Sequence, residues 1–198
     1  VIAGTTIERA SLYNADAIAR RDLRVGDSVF VEKAGEIIPV VVGPVLSRRT
    51  TTATPFAFPS ICPDCVGGLV RNEGEATTRC VQWACPGQLR RRVEHYVSPE
   101  AVGIKGMGPV LIAALVDSQR VQTVADLYRL RPDDLVNIGG VSELVARQLL
   151  EQIEQSKKVR LPRLIYGLSI PGVGRAAANE VAAGLTSLPQ WAGANSSE

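Results

Sequence analysis

Residues 61–85 read ICPDCVGGLVRNEGEATTRCVQWAC and hold all four cysteines of the 198-residue chain. Their spacing is C-x2-C, fourteen intervening residues, then C-x4-C, from Cys62, Cys65, Cys80 and Cys85. Two close pairs separated by a short loop is the arithmetic of a zinc ribbon. Zn²⁺ takes four thiolates tetrahedrally at about 2.3 Å, and a C-x2-C turn sets two sulfurs along one edge of that tetrahedron. Turn formers stand beside each pair: Pro63 after Cys62, Gly67 with Gly68 after Cys65, and Pro86 with Gly87 after Cys85. With all four positions filled by protein such a metal is structural, because a catalytic zinc keeps one position open. Two disulfides, or inert buried thiols, are the competing readings of the same residues. The sequence has no basic start followed by an apolar segment and a cleavage site, and no apolar run of membrane-spanning length, which favours the metal.

The rest of the composition is permissive. A chain of this length accommodates one large or two to three small domains, and 45% hydrophobic with 21% charged residues is an ordinary globular balance. A net charge of +2 and a pI near 8.4 allow a nucleic-acid partner without announcing one. Aromatic residues, at 5%, are too few for recognition by extensive base stacking. The apolar opening VIAGTTIERASLYN from Val1 and the polar close TSLPQWAGANSSE are expected to be the edges of a piece of a longer polypeptide.

Residues 1 to about 60 are rich in β-branched residues and read as short strands: Ala3 to Ala10, DSVFVEKA around Val29 and Val31, and EIIPVVVGPVLS from Glu36 to Ser47. Turn signals at Gly26 with Asp27, Gly35, Gly43 with Pro44, and Pro55 separate them, which predicts a small barrel or sandwich. NADAIARRDL reads as a short helix between the first two strands, and TTTATP from Thr50 as a linker or extended arm. After His95 the pattern turns helical, with Ser98 expected as an N-cap and Pro99 at the first helical position.

From there a unit repeats. GIKGMGPVLIAALV (103–116), NIGGVSELVARQLL (137–150) and SIPGVGRAAANEVAAGL (169–185) each set an aliphatic residue and a glycine turn before an amphipathic helix. The aliphatic residues are Ile104, Ile138 and Ile170, and Leu111, Val145 and Ala178 are expected on the buried faces. Aligned on Gly106, Gly140 and Gly172, the copies are 34 and 32 residues apart, the spacing of repeated supersecondary units. These read as helix pairs joined by a glycine hairpin. The start of a helix carries unpaired amides and a partial positive charge, and glycine removes the Cβ that would hold a phosphate away. Several such turns would grip a sugar-phosphate backbone without reading its bases. A single G-x-G can equally be a mere helix terminator. The middle copy departs from the others, with Ser142 where the second glycine belongs, so a weaker or purely structural role is expected there.

Single residues add little. His95, the one histidine, reads as a packing or surface residue because four cysteines already fill the metal. Arg90, Arg91 and Arg92 read equally as a phosphate grip and as a solvated face. Trp83 reads as a lid on a small zinc core.

The order of a β-barrel segment with ERASLYNAD and EKAGEIIPVV, a four-cysteine finger and tandem helix-hairpin-helix motifs resembles the C-terminal half of bacterial NAD-dependent DNA ligase. The resemblance covers essentially the whole chain. It implies a multidomain α+β protein: an OB-fold over 1–60 whose first strand is missing, a four-cysteine zinc finger with a connecting helix over 61–97, and a helix-hairpin-helix domain over 98–198. Carried over, it implies zinc on Cys62, Cys65, Cys80 and Cys85, and DNA contacts at Lys33, Ala34, Gly35, Gly106, Gly108, Gly172, Gly174 and Arg175. Tyr13 stands where the family has histidine in its Leu-His-Asn segment, so no role carries over to it. The implied partners are nicked double-stranded DNA and an adenylation domain of the same polypeptide, in the bacterial cytoplasm at the nucleoid, with no membrane. NAD and Mg²⁺ would serve that adenylation domain. The family's nucleotidyl Lys-x-Asp-Gly motif does not occur in these residues, so no catalytic residue is expected and the chain alone is expected not to seal a nick. An autonomous DNA-binding module without sequence preference is the alternative function. A segment of a repair nuclease or topoisomerase fits less well, because the EKAGEIIP segment has no place there.

Overall fold

The computed structural model describes residues 6–35 and 38–184, and the chain divides into two compact units, Val1–Gln82 and Trp83–Glu198. The sequence-read opening Val1–Thr5, the Glu36–Ile37 pair and the polar close lie outside the described residues.

The first unit begins with a short helix, α1 (Ala15–Arg20), where the NADAIARRDL reading placed one. Asn14 starts it, its Oδ1 accepting the Ala17 amide at 2.9 Å, and Asp16 and Arg20 suit the two ends of the helix dipole. Strands β1 (Arg24–Val25), β2 (Val29–Ala34), β3 (Ile38–Pro44) and β4 (Thr54–Pro55) follow. β2 and β3 form an antiparallel ribbon with a bulge at Phe30/Val31, and β1 pairs with β4. The TTTATP run is therefore no free arm, since Thr54 and Pro55 join the first strand of the unit and Ala53 is buried. Residues 6–10 form no strand. The chain there makes one parallel bridge, Ser11 to Val40, taking its amide to Pro39 O and its carbonyl to Val41 N, before Tyr13 turns it away at φ 65°.

An ion-pair clamp holds the loops of this unit. Arg49 donates to Asp27 at 2.8 Å and also to Asp22, while Asp27 Oδ2 accepts the Arg24 amide at 2.9 Å. The Asp27 side chain is only 1% exposed. A carboxylate that occluded is tolerated because guanidinium and backbone donors take its oxygens.

The unit continues with a two-stranded ladder, β5 (Leu69–Val70) against β6 (Arg79–Cys80). Among its described residues the second unit is built of helices: α2 (Pro86–Val97), α3 (Pro109–Asp117), α4 (Pro132–Asn137), α5 (Glu143–Ser156), α6 (Leu161–Gly167) and α7 (Arg175–Gly184). A 3₁₀ stretch, Val124–Arg129, precedes α4. The apolar faces of α2 to α5 and the 3₁₀ stretch meet in one core that includes Val93, Tyr96, Ile112, Leu115, Leu127, Leu135 and Leu149, with Leu164 of α6 packed against it. Ser98 does not begin a helix but ends α2, its amide bonding His95 O with the backbone already extended. The physical reason lies at both ends. Pro86 is preorganised for the first helical position, and the residue before Pro99 is pushed out of the helical region.

Glycine is enforced at one interior point by space. A Cβ on Gly139 would lie 2.3 Å from Leu111 Cδ1 and 2.6 Å from the Leu135 carbonyl oxygen. Gly139→Ala is expected to destabilise the helical unit by about 1–3 kcal/mol through overpacking, read as a lower urea midpoint. An unchanged midpoint would contradict this packing.

Acid should weaken the first unit. Hydrogen bonds from Arg49 hold the Asp27 carboxyl below the usual carboxylate range, and bonds from Arg24 and then Arg49 do the same for Asp22. The folded values lie below the unfolded ones, so this stabilisation is complete above about pH 4 and is lost as pH falls through the folded values. Arg49→Met should therefore flatten the acid limb of an unfolding curve followed between pH 5 and 2, and an acid limb identical to wild type would refute the clamp.

Candidate functional site

Two features carry chemistry, a cluster of thiols and a set of helix starts.

The C-x2-C turn is tight. The Cys62 amide donates to Gly67 O at 2.8 Å, the Val66 amide returns to Cys62 O at 2.9 Å, and Val66 takes φ 59° to close the loop. Gly67 is needed for space, since a Cβ would stand 2.4 Å from Gln82 Cγ and 3.2 Å from Cys65 Sγ. The β5–β6 ladder pairs Leu69 with Cys80, bringing the third sulfur back to the first two, and Cys65 and Cys80 Sγ are 3.5 Å apart. That is far beyond the roughly 2.05 Å of a disulfide. The Gln82 amide points at Cys80 Sγ over 3.4 Å. Cys85 is the N-cap of α2 and brings the fourth sulfur at the start of that helix.

All four sulfurs lie within 4.8 Å of one another, with Cys62 and Cys85 buried. A tetrahedron with bonds of about 2.3 Å has edges of about 3.8 Å. The thiol set therefore has the size and donor chemistry of a closed metal site. Trp83 is no lid on it: the indole is 78% exposed, and the Arg92 guanidinium lies 4.1 Å from its centroid while donating to the Trp83 carbonyl. Its position between the cysteines suggests a lid, but the cation-covered ring is satisfied at the surface.

The three hairpins share a backbone device. Gly106, Gly140 and Gly172 have φ of 88°, 65° and 80°, values that L side chains rarely adopt. Each is followed two residues later by the N-cap of a helix: Gly108 for α3, Ser142 for α5 and Gly174 ahead of α7. The fourth helical residue of each is buried, Ile112 at 1%, Ala146 at 0% and Ala178 at 1%, repeating in the same steps of 34 and 32 residues as the glycines. The sequence reading mixed two registers here. Val145, one position earlier, is 39% exposed and is not a core residue. Leu111, the corresponding third residue of α3, is buried as expected, so this position faces the core in α3 and not in α5.

The helix starts differ in how their first amides are met. Gly108 has no side chain with which to cap, Pro109 follows, and Lys105 is exposed beside the turn. Gly174 likewise has no side chain, with exposed Arg175 next to it, and nothing lies within 4 Å of a Cβ placed on either Gly108 or Gly174. Ser142 behaves oppositely: its Oγ accepts the Val145 amide at 3.4 Å, and Glu143 occupies the first position and pairs with Arg147 at 3.3 Å. The first and third starts are open to an anion. The middle one already carries a hydroxyl cap and a carboxylate.

The remaining sequence-singled residues are placed as follows. Lys33, Ala34 and Gly35 are the end of β2 and the turn after it, with Gly35 at φ 61°. Arg90 bonds Asp117 at 2.5 Å, while Arg91 is exposed. His95 lies half-buried with Nε2 2.9 Å from Tyr166 O, a packing position. No described helix is long and apolar enough to cross a membrane.

Comparison with known proteins agrees in two places. Residues 1–53 match the family model of the NAD-dependent DNA ligase OB-fold domain, and residues 99–155 match a SAM-like helix-hairpin-helix tandem. Relatives include "DNA ligase 1" of Opitutus terrae, 46% identical over 98% of this chain and 29% of the relative. "DNA ligase 2" of the same organism is 45% identical over 100% of this chain and 28% of the relative. The "DNA ligase" of Halalkalibacterium halodurans is 45% identical over 91% and 27%. The chain thus spans a little over a quarter of the length of the relatives it matches.

Proposed function

The chain belongs to the bacterial NAD-dependent DNA ligases, as the portion bearing their OB-fold, four-cysteine and helix-hairpin-helix segments, and from this we propose that it holds nicked duplex DNA by its phosphate backbone. The observation that carries the reading is the pair of glycine-led helix starts, at Gly108 and Gly174, left uncapped and flanked by Lys105 and Arg175. Amides at such ends bind phosphate oxygens, and cations beside them add an attraction indifferent to sequence. Gly106 and Gly172 supply the positive φ that aims the turns, and Gly108 and Gly174 supply the room. Lys33, Ala34 and Gly35 would approach the same backbone from the barrel segment. No residue of this chain is assigned a catalytic role. Adenylation from NAD with Mg²⁺ would belong to another domain of the same polypeptide, which acts at the bacterial nucleoid.

The same reading divides the chain into an OB-fold domain at 1–60, a zinc finger with connecting helix at 61–97, and a helix-hairpin-helix domain at 98–198. Cys62, Cys65, Cys80 and Cys85 would hold one Zn²⁺. A metal bound there would supply folding free energy to a segment too short to build a core of its own.

Purified chain is expected to contain one equivalent of zinc by elemental analysis, and its removal by a chelator to unfold residues 60–85 while leaving the helical core, which includes Leu89 and Val93 of α2, intact. Less than half an equivalent with no titratable thiol would favour disulfides instead.

Binding of a labelled nicked duplex should fall steeply with salt, the slope of log K against log[salt] reporting the number of phosphates neutralised. Gly174→Asp, which caps the third start and adds a negative charge, is expected to weaken binding about tenfold and reduce that slope by about one. Ser142→Ala should change affinity less than about twofold, because the Glu143 carboxylate at the same start still repels phosphate. A response flat with salt, or equal effects of the two changes, would sink the phosphate reading.

A further inference from the structure

Arg163 lies on α6, the helix that leads into the third hairpin, yet its side chain reaches into the first. Its Nε donates to Ala101 O at 2.7 Å and its Nη2 to Pro99 O at 2.5 Å, across 62 and 64 residues of sequence. Those carbonyls belong to the segment between α2 and the first hairpin. Ala101 and Val102 are buried there, and their amides turn back to Ser98 O and Tyr96 O. With no regular helix to satisfy them, the outward carbonyls need donors from elsewhere, and a planar guanidinium can meet two at once.

Two further observations tie the same points. Gly103, which opens the hairpin, has φ 80°, and a Cβ on it would stand 3.1 Å from Arg163 Nη2. Neighbouring residues of α6 close on the same stretch: Tyr166 O meets His95 Nε2 at 2.9 Å, and a Cβ on Gly167 would lie 3.3 to 3.4 Å from Tyr96, Val102 and Ala101. Arg163 forms no ion pair among the described residues, so no carboxylate explains its placement. It lines a cleft of about 660 Å³ together with Glu94, Lys105 and Gly106.

We infer that Arg163 is a positioning residue for the first hairpin: by holding the carbonyls of Pro99 and Ala101 it fixes the turn that offers the Gly108 helix start to phosphate. The inference rests on the phosphate-gripping reading. It couples the two open hairpins, since the brace on the first comes from the helix that carries the third. The guanidinium contacts no DNA in this account. It acts only through the backbone of residues 99–103.

The test is a double-mutant cycle on the full chain, with salt titrations of a nicked duplex as the readout. Arg163→Gln alone is expected to lower affinity about tenfold and the salt slope by about one, as if one phosphate contact were lost. In a Gly108→Asp background, where the first start is already closed, Arg163→Gln should add less than about twofold. In a Gly174→Asp background it should cost the full tenfold. Equal costs in both backgrounds would mean a general loss of stability and overturn the inference. Hydrogen exchange of the free protein supplies a second arm. Arg163→Gln should speed exchange at amides 101–108 and leave 173–178 unchanged, and unchanged exchange at 101–108 overturns the inference whatever the DNA result. Failure of the wild-type chain to bind duplex would sink the phosphate reading alone and leave this arm to decide on Arg163. Should Arg163→Gln not fold, Arg163→Lys, whose single ammonium cannot span both carbonyls, is expected to give the same pattern at smaller amplitude, and wild-type behaviour of that variant in both arms would overturn the inference.

Discussion

A helix begins with amides that its own carbonyls cannot reach, and the helical unit of this protein is organised around what becomes of them. At α5 the answer is internal: Ser142 accepts one amide, and Glu143 places a carboxylate where the helix is positive. Ahead of α3 and α7 glycine offers nothing, and solvent or a ligand must complete the turn. The backbone course is otherwise the same in all three, a positive-φ glycine, an N-cap two residues later and a buried fourth helical residue. One scaffold thus presents two open ends and one closed end. The difference is made by a hydroxyl and a carboxylate rather than by a change of fold.

The four-cysteine segment obeys a different constraint. Between Cys62 and Cys85, Val66, Val70, Val81 and Trp83 are exposed and Leu69 is only half-buried, so there is too little hydrophobic burial to fix the segment. What converges instead is sulfur, delivered by one tight turn, one short ladder and the start of α2. A cation at that point would replace the missing core. It would also fix where α2 begins, and α2 is the first helix of the core beneath the hairpins.

Much of this was legible in the sequence, because the signals are local. The cysteine spacing, the glycine repeat, the short helix α1, and the strands β2 and β3 each rest on short stretches with a local steric or propensity reason behind them. Ser98 had the look of a helix start, but the helix before it, opened by Pro86, already claims the segment. The TTTATP run had the composition of a linker and pairs with β1 because a partner strand is within reach. The repeat puts Val145 on a buried face by analogy with Leu111, and the position of Trp83 between the cysteines reads as a lid, but both side chains are exposed. Nothing local marks Arg163, whose partners lie more than 60 residues away. For the TTTATP run and for Arg163 a tertiary contact decides between locally reasonable alternatives.

On the proposed reading the protein holds DNA by geometry and charge, with specificity for the backbone and none for the bases. The claim most open to direct measurement is that the two glycine-led starts, and not the serine-capped one, meet the phosphates. Amide shifts of the labelled full chain, followed as nicked duplex is added, test it residue by residue. The account predicts that the amides of 106–111 and 172–177 move together with a common saturation, while those of 142–145 stay in place. Movement centred on 142–145, or none in any of the three hairpins at saturating DNA, would contradict it.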